Sequence, residues 1–205
     1  QFCAKNKILR MVTSNGALLP KPGHVIHTGR GWTKVGFPYV DRSDLPENHM
    51  ESAEAAVQDL SDLLTRAGIP AERVKDILKE CWEKVFVNIG INAFGALTRL
   101  RNGELLRNER LKAFMGKAVE EAVEIATQKG INLSEKDFKG EMFSVAQKTA
   151  KNKNSMLQDV LKKKKTELEF ITGKIVNYAE ELGARAPIND LLTGLIKGVE
   201  RSFKG

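Results

Sequence analysis

Hydrophobic residues recur with a helical period over most of the chain beyond residue 75. Residues 77–100 are apolar on nearly every side, which is typical of a helix that is buried on most faces. Residues 107–129 carry an apolar stripe at spacings of three and four, and this segment stops at Gly130. The same spacing predicts further helices at residues 138–150, 156–161, 167–182 and 188–203.

The residues that flank these segments indicate where the helices begin and end. The sequence Ser134-Glu135-Lys136-Asp137 resembles a capping box and predicts the start of the helix at 138–150. Gly183 is suited to close the helix at 167–182, because glycine readily adopts the left-handed conformation that ends many helices. Pro187 is suited to the first turn of the last helix.

Strand-like patterns occupy the first 47 residues, which are rich in Gly, Pro, Thr and Val. Residues 8–13 form a short run with strand character. Residues 23–29 and 32–37 predict two more strands, and the Gly29-Arg30-Gly31 segment between them predicts a hairpin that joins the two.

A loop, a helix and a last strand are expected next. Residues 43–50 are mostly polar and contain Pro46, so they predict a loop. Residues 51–66 have the apolar spacing of a helix, which stops at Gly68. Residues 70–74 predict one more strand.

This order of elements predicts a mainly α fold with two parts. Residues 1–74 would form a small β-containing piece, and residues 75–205 an all-helical domain. The β piece is too small for a closed domain, and strands with unpaired edges are a liability on their own. We therefore expect it to be the end of a larger sheet.

Composition excludes several classes of protein. Hydrophobic residues at 41% and charged residues at 29% are typical of a globular chain rather than a disordered one. No apolar run approaches the thickness of a bilayer, and residues 1–5 do not resemble a secretory signal, so we expect a cytoplasmic protein without membrane contact. The net charge of +7 suits any anionic ligand, but lysines are spread among carboxylates, which argues against nucleic-acid binding.

Several kinds of site are also excluded. Cys3 and Cys81 cannot make a disulfide framework, and without a CxxC motif or clustered histidines we expect no metal site. The 205 residues contain no GxGxxG, GxxxxGK[ST] or GxSxG motif. A Rossmann dinucleotide site, a P-loop and a nucleophile elbow are therefore not encoded in this stretch.

A polar stripe on the apolar helix is the first candidate site. Lys84, Asn88 and Asn92 are spaced four apart and share one helix face. A lysine and two amides among apolar neighbours need partners, since an unpaired buried polar group costs roughly 1–3 kcal/mol. The stripe is either the exposed side of a half-buried helix or a site that binds a small polar anion, with the lysine supplying charge and a proton.

A second polar cluster covers residues 152–159. Asn154 or Ser155 is suited to cap the following helix, and a loop that enters a helix also offers free N–H groups to an anion. Glu167 opens the next helix, where a carboxylate suits the helix dipole. The lysine run 162–165 is more simply a solvated face than a phosphate cradle.

Together these motifs resemble the ketopantoate reductases (2-dehydropantoate 2-reductases). Residues 82–92 match the family's W-x-K-x-x-x-N-x-x-x-N pattern, and residues 102–105 its NGEL turn. Residues 154–173 resemble its S-S-M-L-Q-D block followed by T-E, and residues 183–189 its closing G-x-x-x-P-x-N. The upstream segment, residues 16–36, resembles the end of the family's cofactor domain, so the resemblance covers nearly the whole chain.

The resemblance implies reduction of ketopantoate to pantoate by NADPH. It implies that Lys84 is the general acid and that Asn88 and Asn92 bind the substrate's oxygens. It places the substrate's carboxylate and hydroxyl end on Asn102 and on the loop with Asn152, Asn154 and Ser155. It assigns cofactor contacts to Glu167 and, more loosely, to Ala17, and it favours a homodimer.

The departures from the family pattern leave alternatives open. The GxGxxG loop is absent and Asn154 replaces one serine of the usual pair. We therefore expect that these 205 residues do not bind NADPH in the family's manner. The chain would then be a fragment, a split gene product or a paralogue that has lost catalysis. The alternatives are a reductase of another 2-oxo acid, or a catalytically inactive helical module that dimerises or acts as a scaffold.

Overall fold

The computed structural model describes residues 8–38 and 47–204. The chain divides into two compact units, Gln1–Cys81 and Trp82–Gly205. No helix of the described residues is long and apolar enough to cross a membrane.

The first unit contains a three-stranded sheet covered by a helix. Strand β1 (Arg10–Thr13) pairs antiparallel with β4 (Thr33–Gly36), and β4 pairs parallel with the short β5 (Glu72–Arg73). Helix α1 (Glu47–Arg66) packs on this sheet, since its apolar face joins the strand residues in a small core. That core contains Val35, Phe37, Ala53 and Val57.

A separate two-stranded sheet corrects the predicted hairpin. Strand β2 (Gly16–Lys21) pairs with β3 (His24–Gly29), and Gly23 between them has a φ of 76°. The Gly29-Arg30-Gly31 segment therefore joins two different sheets, so its prediction as a hairpin turn was wrong. The reason is a long-range contact: Asn15 Oδ1 accepts the Gly31 N–H at 2.9 Å, which holds this segment beside the end of β1.

The predicted loop at 43–50 is also corrected in part. Helix α1 begins at Glu47, and residues 43–46 lie outside the described residues. Met50 packs against the core of the first unit, so the polar residues around it belong to the first turns of an amphipathic helix. The predicted helix at 51–66 is confirmed. Strands are also present within the predicted ranges 8–13 and 70–74, but they are shorter, Arg10–Thr13 and Glu72–Arg73.

The second unit is helical, as the periodicity predicts. Its first helix, α2 (Ile77–Thr98), begins in the last residues of the first unit. The helices that follow are α3 (Asn102–Leu105), α4 (Glu109–Gln128), α5 (Phe138–Lys148), α6 (Ser155–Leu161), α7 (Thr172–Leu182) and α8 (Pro187–Arg201), with 3₁₀ turns at Leu168–Phe170 and Ser202–Lys204. Phe86 of α2 is fully buried and meets Phe138 edge-on, with 5.0 Å between the ring centroids. The largely apolar α2 thus lies within the core, and its predicted burial on most faces is confirmed.

Two helix starts differ from the prediction. The N-cap of α5 is Asp137, whose side chain accepts the Gly140 N–H at 2.8 Å. Ser134 instead donates to Glu83 Oε1 at 2.5 Å, so the tertiary partner replaces the predicted capping box. The predicted helix at 167–182 is split into a 3₁₀ turn and α7. Thr166, just before the turn, donates to Glu200 of α8, and Thr172 of α7 bonds with Thr193 of α8.

The start of α8 is capped by a carboxylate from another helix. Its own N-cap, Ala186, offers no side-chain acceptor. Glu121 of α4 takes that place, because its carboxylate accepts the N–H groups of Ile188 and Asn189 at 3.1 Å and the Asn189 side-chain amide at 3.0 Å. A negative group at a helix start also interacts favourably with the helix dipole.

We expect Glu121→Gln to lower the free energy of unfolding by about 1–2 kcal/mol, because the neutral amide is a weaker acceptor for three donors. Urea unfolding followed by circular dichroism measures this. The control is Glu124→Gln on the same helix, whose exposed carboxylate accepts only from Gln128 in the described contacts. Equal unfolding midpoints for the two variants would contradict the capping role of Glu121.

Candidate functional site

The polar stripe of α2 becomes more buried along the helix. Lys84 and Asn88 are half-buried, whereas Asn92 is only 3% exposed. The Asn92 side-chain amide donates to Ser155 Oγ at 3.5 Å, so the end of the stripe meets the start of α6. The structure therefore brings one residue from each predicted polar cluster to the same place.

Asn154 fixes the start of α6 against α2. Its Oδ1 accepts the Leu157 N–H at 2.9 Å, and its Nδ2 donates to the carbonyl of Ile91 at 3.4 Å. Of the two residues considered as the cap, Asn154 is the N-cap, and Ser155 is the first helical residue with an exposed side chain. The amide of Asn154 thus makes structural contacts, whereas Ser155 is an exposed residue.

Gly95 is the residue of this site that sequence reasoning missed. A Cβ placed there would lie 2.1 Å from Asn154 Nδ2, far inside van der Waals contact. Only glycine therefore allows the Asn154 amide to reach the backbone of α2. The available signal was a glycine inside a long apolar helix, where it costs helix stability unless close packing requires it.

Asn102 and Asn152 lie in two segments that are bonded together. The Asn102 N–H donates to the Asn152 carbonyl at 3.0 Å, and the Gly103 N–H donates to Ala150 O at 3.1 Å. The Asn102 side-chain amide donates to Thr149 Oγ1 at 2.9 Å. Asn102 is 6% exposed, and its Oδ1 has no hydrogen-bond partner among the described residues. Its side chain therefore holds the loop before α6 and keeps one acceptor unused.

The residues beside Lys84 are fixed by their own contacts. Trp82 lies between Phe86 and Tyr178, with 5.9 Å between ring centroids on each side. Glu83 pairs with Lys136 at 2.7 Å, and Lys136 also pairs with Glu141 at 2.7 Å. Burial of Lys136 opposes its charge, but the two carboxylates outweigh it and raise the pKa of Lys136 above the usual value. These contacts restrain the turn of α2 that carries Lys84.

The two residues expected to contact a cofactor belong to different units, Ala17 to the first and Glu167 to the second. Glu167 is exposed at the start of the 3₁₀ turn, next to Thr166, whose hydroxyl donates to Glu200 at 2.7 Å. Ala17 is exposed on β2 of the first unit and pairs with His27. Neither residue belongs to a GxGxxG motif, which the 205 residues do not contain.

Within the described ranges, no group of three or more His, Cys, Asp or Glu side chains is arranged to hold a metal ion. The cluster combines two neutral hydrogen-bonding groups, the amide of Asn92 on α2 and the hydroxyl of Ser155 on α6. The ammonium group of Lys84 belongs to the same face of α2 as Asn92. Such a set can orient the oxygens of a small polar anion.

The model of the family "Ketopantoate reductase PanE/ApbA C terminal" matches residues 76–200. The chain belongs to the ketopantoate reductase family. This confirms the family predicted from the residue motifs.

Curated relatives carry the name 2-dehydropantoate 2-reductase. The protein from Archaeoglobus fulgidus is 38% identical over 200 residues, which cover 98% of this chain and 63% of the relative. The protein from Pyrococcus horikoshii is 34% identical over 92% of this chain and 59% of the relative. The chain thus spans about three fifths of the length of these relatives.

Solved structures share the fold. A PanE/ApbA family ketopantoate reductase from Ralstonia eutropha JMP134 matches with a TM-score of 0.82 at 26% identity, over 96% of this chain and 60% of that one. A D-mandelate dehydrogenase with NADH and anilino(oxo)acetate matches with a TM-score of 0.84 at 24% identity, over 100% of this chain and 63% of that one, which indicates the fold alone. The predicted fold class, a helical domain after a small sheet, is confirmed.

Substitution of Gly95 tests the contact between Asn154 and α2. We expect Gly95→Ala to lower the free energy of unfolding by about 1–3 kcal/mol, because the new methyl group displaces the Asn154 amide from a packed position. The matched control is Gly194→Ala in α8, where a Cβ meets nothing within 4 Å. That variant should gain about 0.5–1 kcal/mol from helix propensity. Urea unfolding that shows the same sign for both variants would contradict the proposed close contact.

Proposed function

We propose that this chain carries the substrate-binding part of an NADPH-dependent 2-dehydropantoate 2-reductase, which reduces ketopantoate to pantoate. The contact between Asn92 and Ser155 carries the proposal, because it unites the two motif blocks in one place. Family membership and the names of the relatives support the same reaction. The residues from 75 onward would be the substrate domain, and residues 1–74 the end of a cofactor domain.

Reduction of a ketone needs a hydride at the carbonyl carbon and a proton at the carbonyl oxygen. The nicotinamide cofactor supplies the hydride when it is bound. The ammonium group of Lys84 donates the proton to the oxygen as negative charge develops there. Lys84 lies on α2 between Glu83, which pairs with Lys136, and Val85, which packs against the core, and this restraint favours a defined direction for that transfer.

Neutral donors hold the rest of the substrate. Asn88 and Asn92 follow Lys84 at one-turn spacing, so their amides can bind the oxygens next to the reacting carbon. Ser155 and Asn152 are exposed at the start of α6 and in the loop before it, where they can receive the carboxylate and hydroxyl end. We assign Asn154 and Asn102 to the same subsite as residues that hold the loop in place, because their amides already bond to Ile91 and Thr149.

The remaining assignments concern cofactor and assembly. Glu167 and Ala17 are proposed cofactor contacts, and both side chains are exposed. NADPH, rather than NADH, and a cytoplasmic homodimer complete the proposal; a related reductase of known structure, from Staphylococcus aureus, is described as dimeric. A reductase of a different 2-oxo acid and an inactive scaffold are the competing functions.

Replacement of Lys84 tests the proton donor. In a chain that includes a glycine-rich cofactor-binding segment, we expect Lys84→Ala to lower kcat about 10²–10⁴-fold, the usual contribution of a general acid. Lys84→Arg should be nearly as slow, because a guanidinium keeps the charge but does not release its proton. The measurement is NADPH oxidation with ketopantoate.

The control for this assay is Lys117→Ala, which removes an exposed lysine from α4 and should leave kcat unchanged. A loss of less than about tenfold for Lys84→Ala would exclude the general-acid role. Full activity of the arginine variant would show that charge alone, and not proton donation, is needed. An inactive scaffold predicts no turnover in any of these proteins.

A cofactor titration tests whether the 205 residues bind NADPH. We expect no saturable binding up to about 1 mM NADPH by calorimetry, because the chain lacks the glycine-rich loop that holds the pyrophosphate. NADH serves as the control for a non-specific response. Saturable binding that prefers NADPH would show that the exposed residues, Ala17 and Glu167 among them, build a site without that loop.

A further inference from the structure

Positive charge in the second unit is paired unevenly. Five lysines lie within 4.0 Å of a carboxylate: Lys112, Lys129, Lys136, Lys139 and Lys197. Arg101, Lys151 and Lys153 form no ion pair with any described residue. We name these three residues the basic loop. Its unpaired charge lies in the segments that carry Asn102, Asn152 and Asn154.

The backbone of the basic loop is held in place while its charges stay exposed. The Arg101 guanidinium donates to the carbonyl of Lys151, and Gln158 Nε2 donates to the carbonyl of Lys153 at 2.9 Å. The Asn102 N–H, next to Arg101, bonds to Asn152 O at 3.0 Å. All three basic side chains are exposed. Hydrogen bonds to backbone carbonyls therefore hold the three residues in place, and because these carbonyls are neutral, the positive charges are not compensated.

One carboxylate is hydrogen-bonded to the basic loop in the described contacts. Glu104 Oε2 accepts the backbone N–H of Arg101 at 2.7 Å, so its charge offsets part of the positive charge. Three cations against one carboxylate leave an excess of two positive charges at the loop. The residues proposed to hold the substrate nearby, Asn92 and Ser155, are neutral and cannot attract an anion from a distance.

We propose that the basic loop attracts the carboxylate of a 2-oxo acid and speeds its arrival at Asn152 and Ser155. This inference rests on the proposed function and names the residues that set the association rate. Fields from clustered charges raise the on-rate of an opposite charge by about 10–10³-fold. The effect weakens with salt, since the screening length is about 8 Å at physiological ionic strength. Lys84 and the amides then orient the bound anion.

The test compares Lys151→Gln/Lys153→Gln with wild type. Both side chains are exposed, and their carbonyls, not their ammonium groups, make the loop's hydrogen bonds, so the fold should be unaffected. The matched control is Lys117→Gln/Arg185→Gln, which removes two exposed positive charges outside the basic loop. Stopped-flow tryptophan fluorescence would follow association of ketopantoate, phenylglyoxylate and the uncharged ketopantoyl lactone, at about 20 mM and about 300 mM salt.

We expect the double variant to bind ketopantoate about tenfold more slowly than wild type at low salt, with the difference lost at high salt. The lactone should bind all three proteins at the same rate. Equal rates for wild type and the loop variant, or an equal loss in the control variant, would overturn the proposal.

The panel of acids separates the two proposals. Suppose that phenylglyoxylate binds in a salt-dependent way, that its association is slower in the loop variant, and that ketopantoate does not bind. This result would support the role of the basic loop and exclude ketopantoate as the substrate. If ketopantoate binds at the same rate to wild type and to the loop variant, the result would support the proposed function and overturn the role of the basic loop. Absence of binding by every acid would overturn both.

Discussion

The contact of Asn154 with α2 is the constraint on which the candidate site depends. One amide caps α6 through Leu157 and bonds to the carbonyl of Ile91, and so joins α6 to a residue of α2 that lies 63 positions before Asn154. Gly95 makes the approach possible, because any side chain there would occupy the space of the amide. The position of Ser155 against Asn92 follows from that contact, since Ser155 is the next residue along the chain.

This constraint also explains how polar residues persist on a buried helix. Around the rest of α2, Phe86 and Ile89 are fully buried in the core, which fixes the rotation of the helix. Asn92 is then buried, and its side-chain amide needs a polar neighbour, because burying an unpaired amide costs free energy. The start of α6 supplies that neighbour, so the site exists because two motif blocks satisfy each other. A stripe on the surface would need no such partner.

The spacing of apolar residues predicted the helices well, because every residue of an amphipathic helix contributes to the pattern of buried and exposed positions. Capping and strand pairing were harder, because each depends on one distant residue. Ser134 had the spacing of a capping box, yet its hydroxyl bonds to Glu83, 51 residues away, and Asp137 caps the helix instead. The Lys84–Asn92 stripe was found by spacing alone. Gly95 was not, since its role appears only when Asn154 lies opposite it.

The pairing of charges also depends on distant residues, so the sequence alone does not predict it. A net charge of +7 fits many ligands, because a sum does not say where the excess lies. In the fold, carboxylates one turn away or on a neighbouring helix offset lysines of α4 and α5, such as Lys112 and Lys139. The same residue type stays uncompensated beside Asn152, where the backbone rather than a carboxylate holds the loop. The total charge therefore does not show which lysines a neighbouring carboxylate offsets, whereas the fold does.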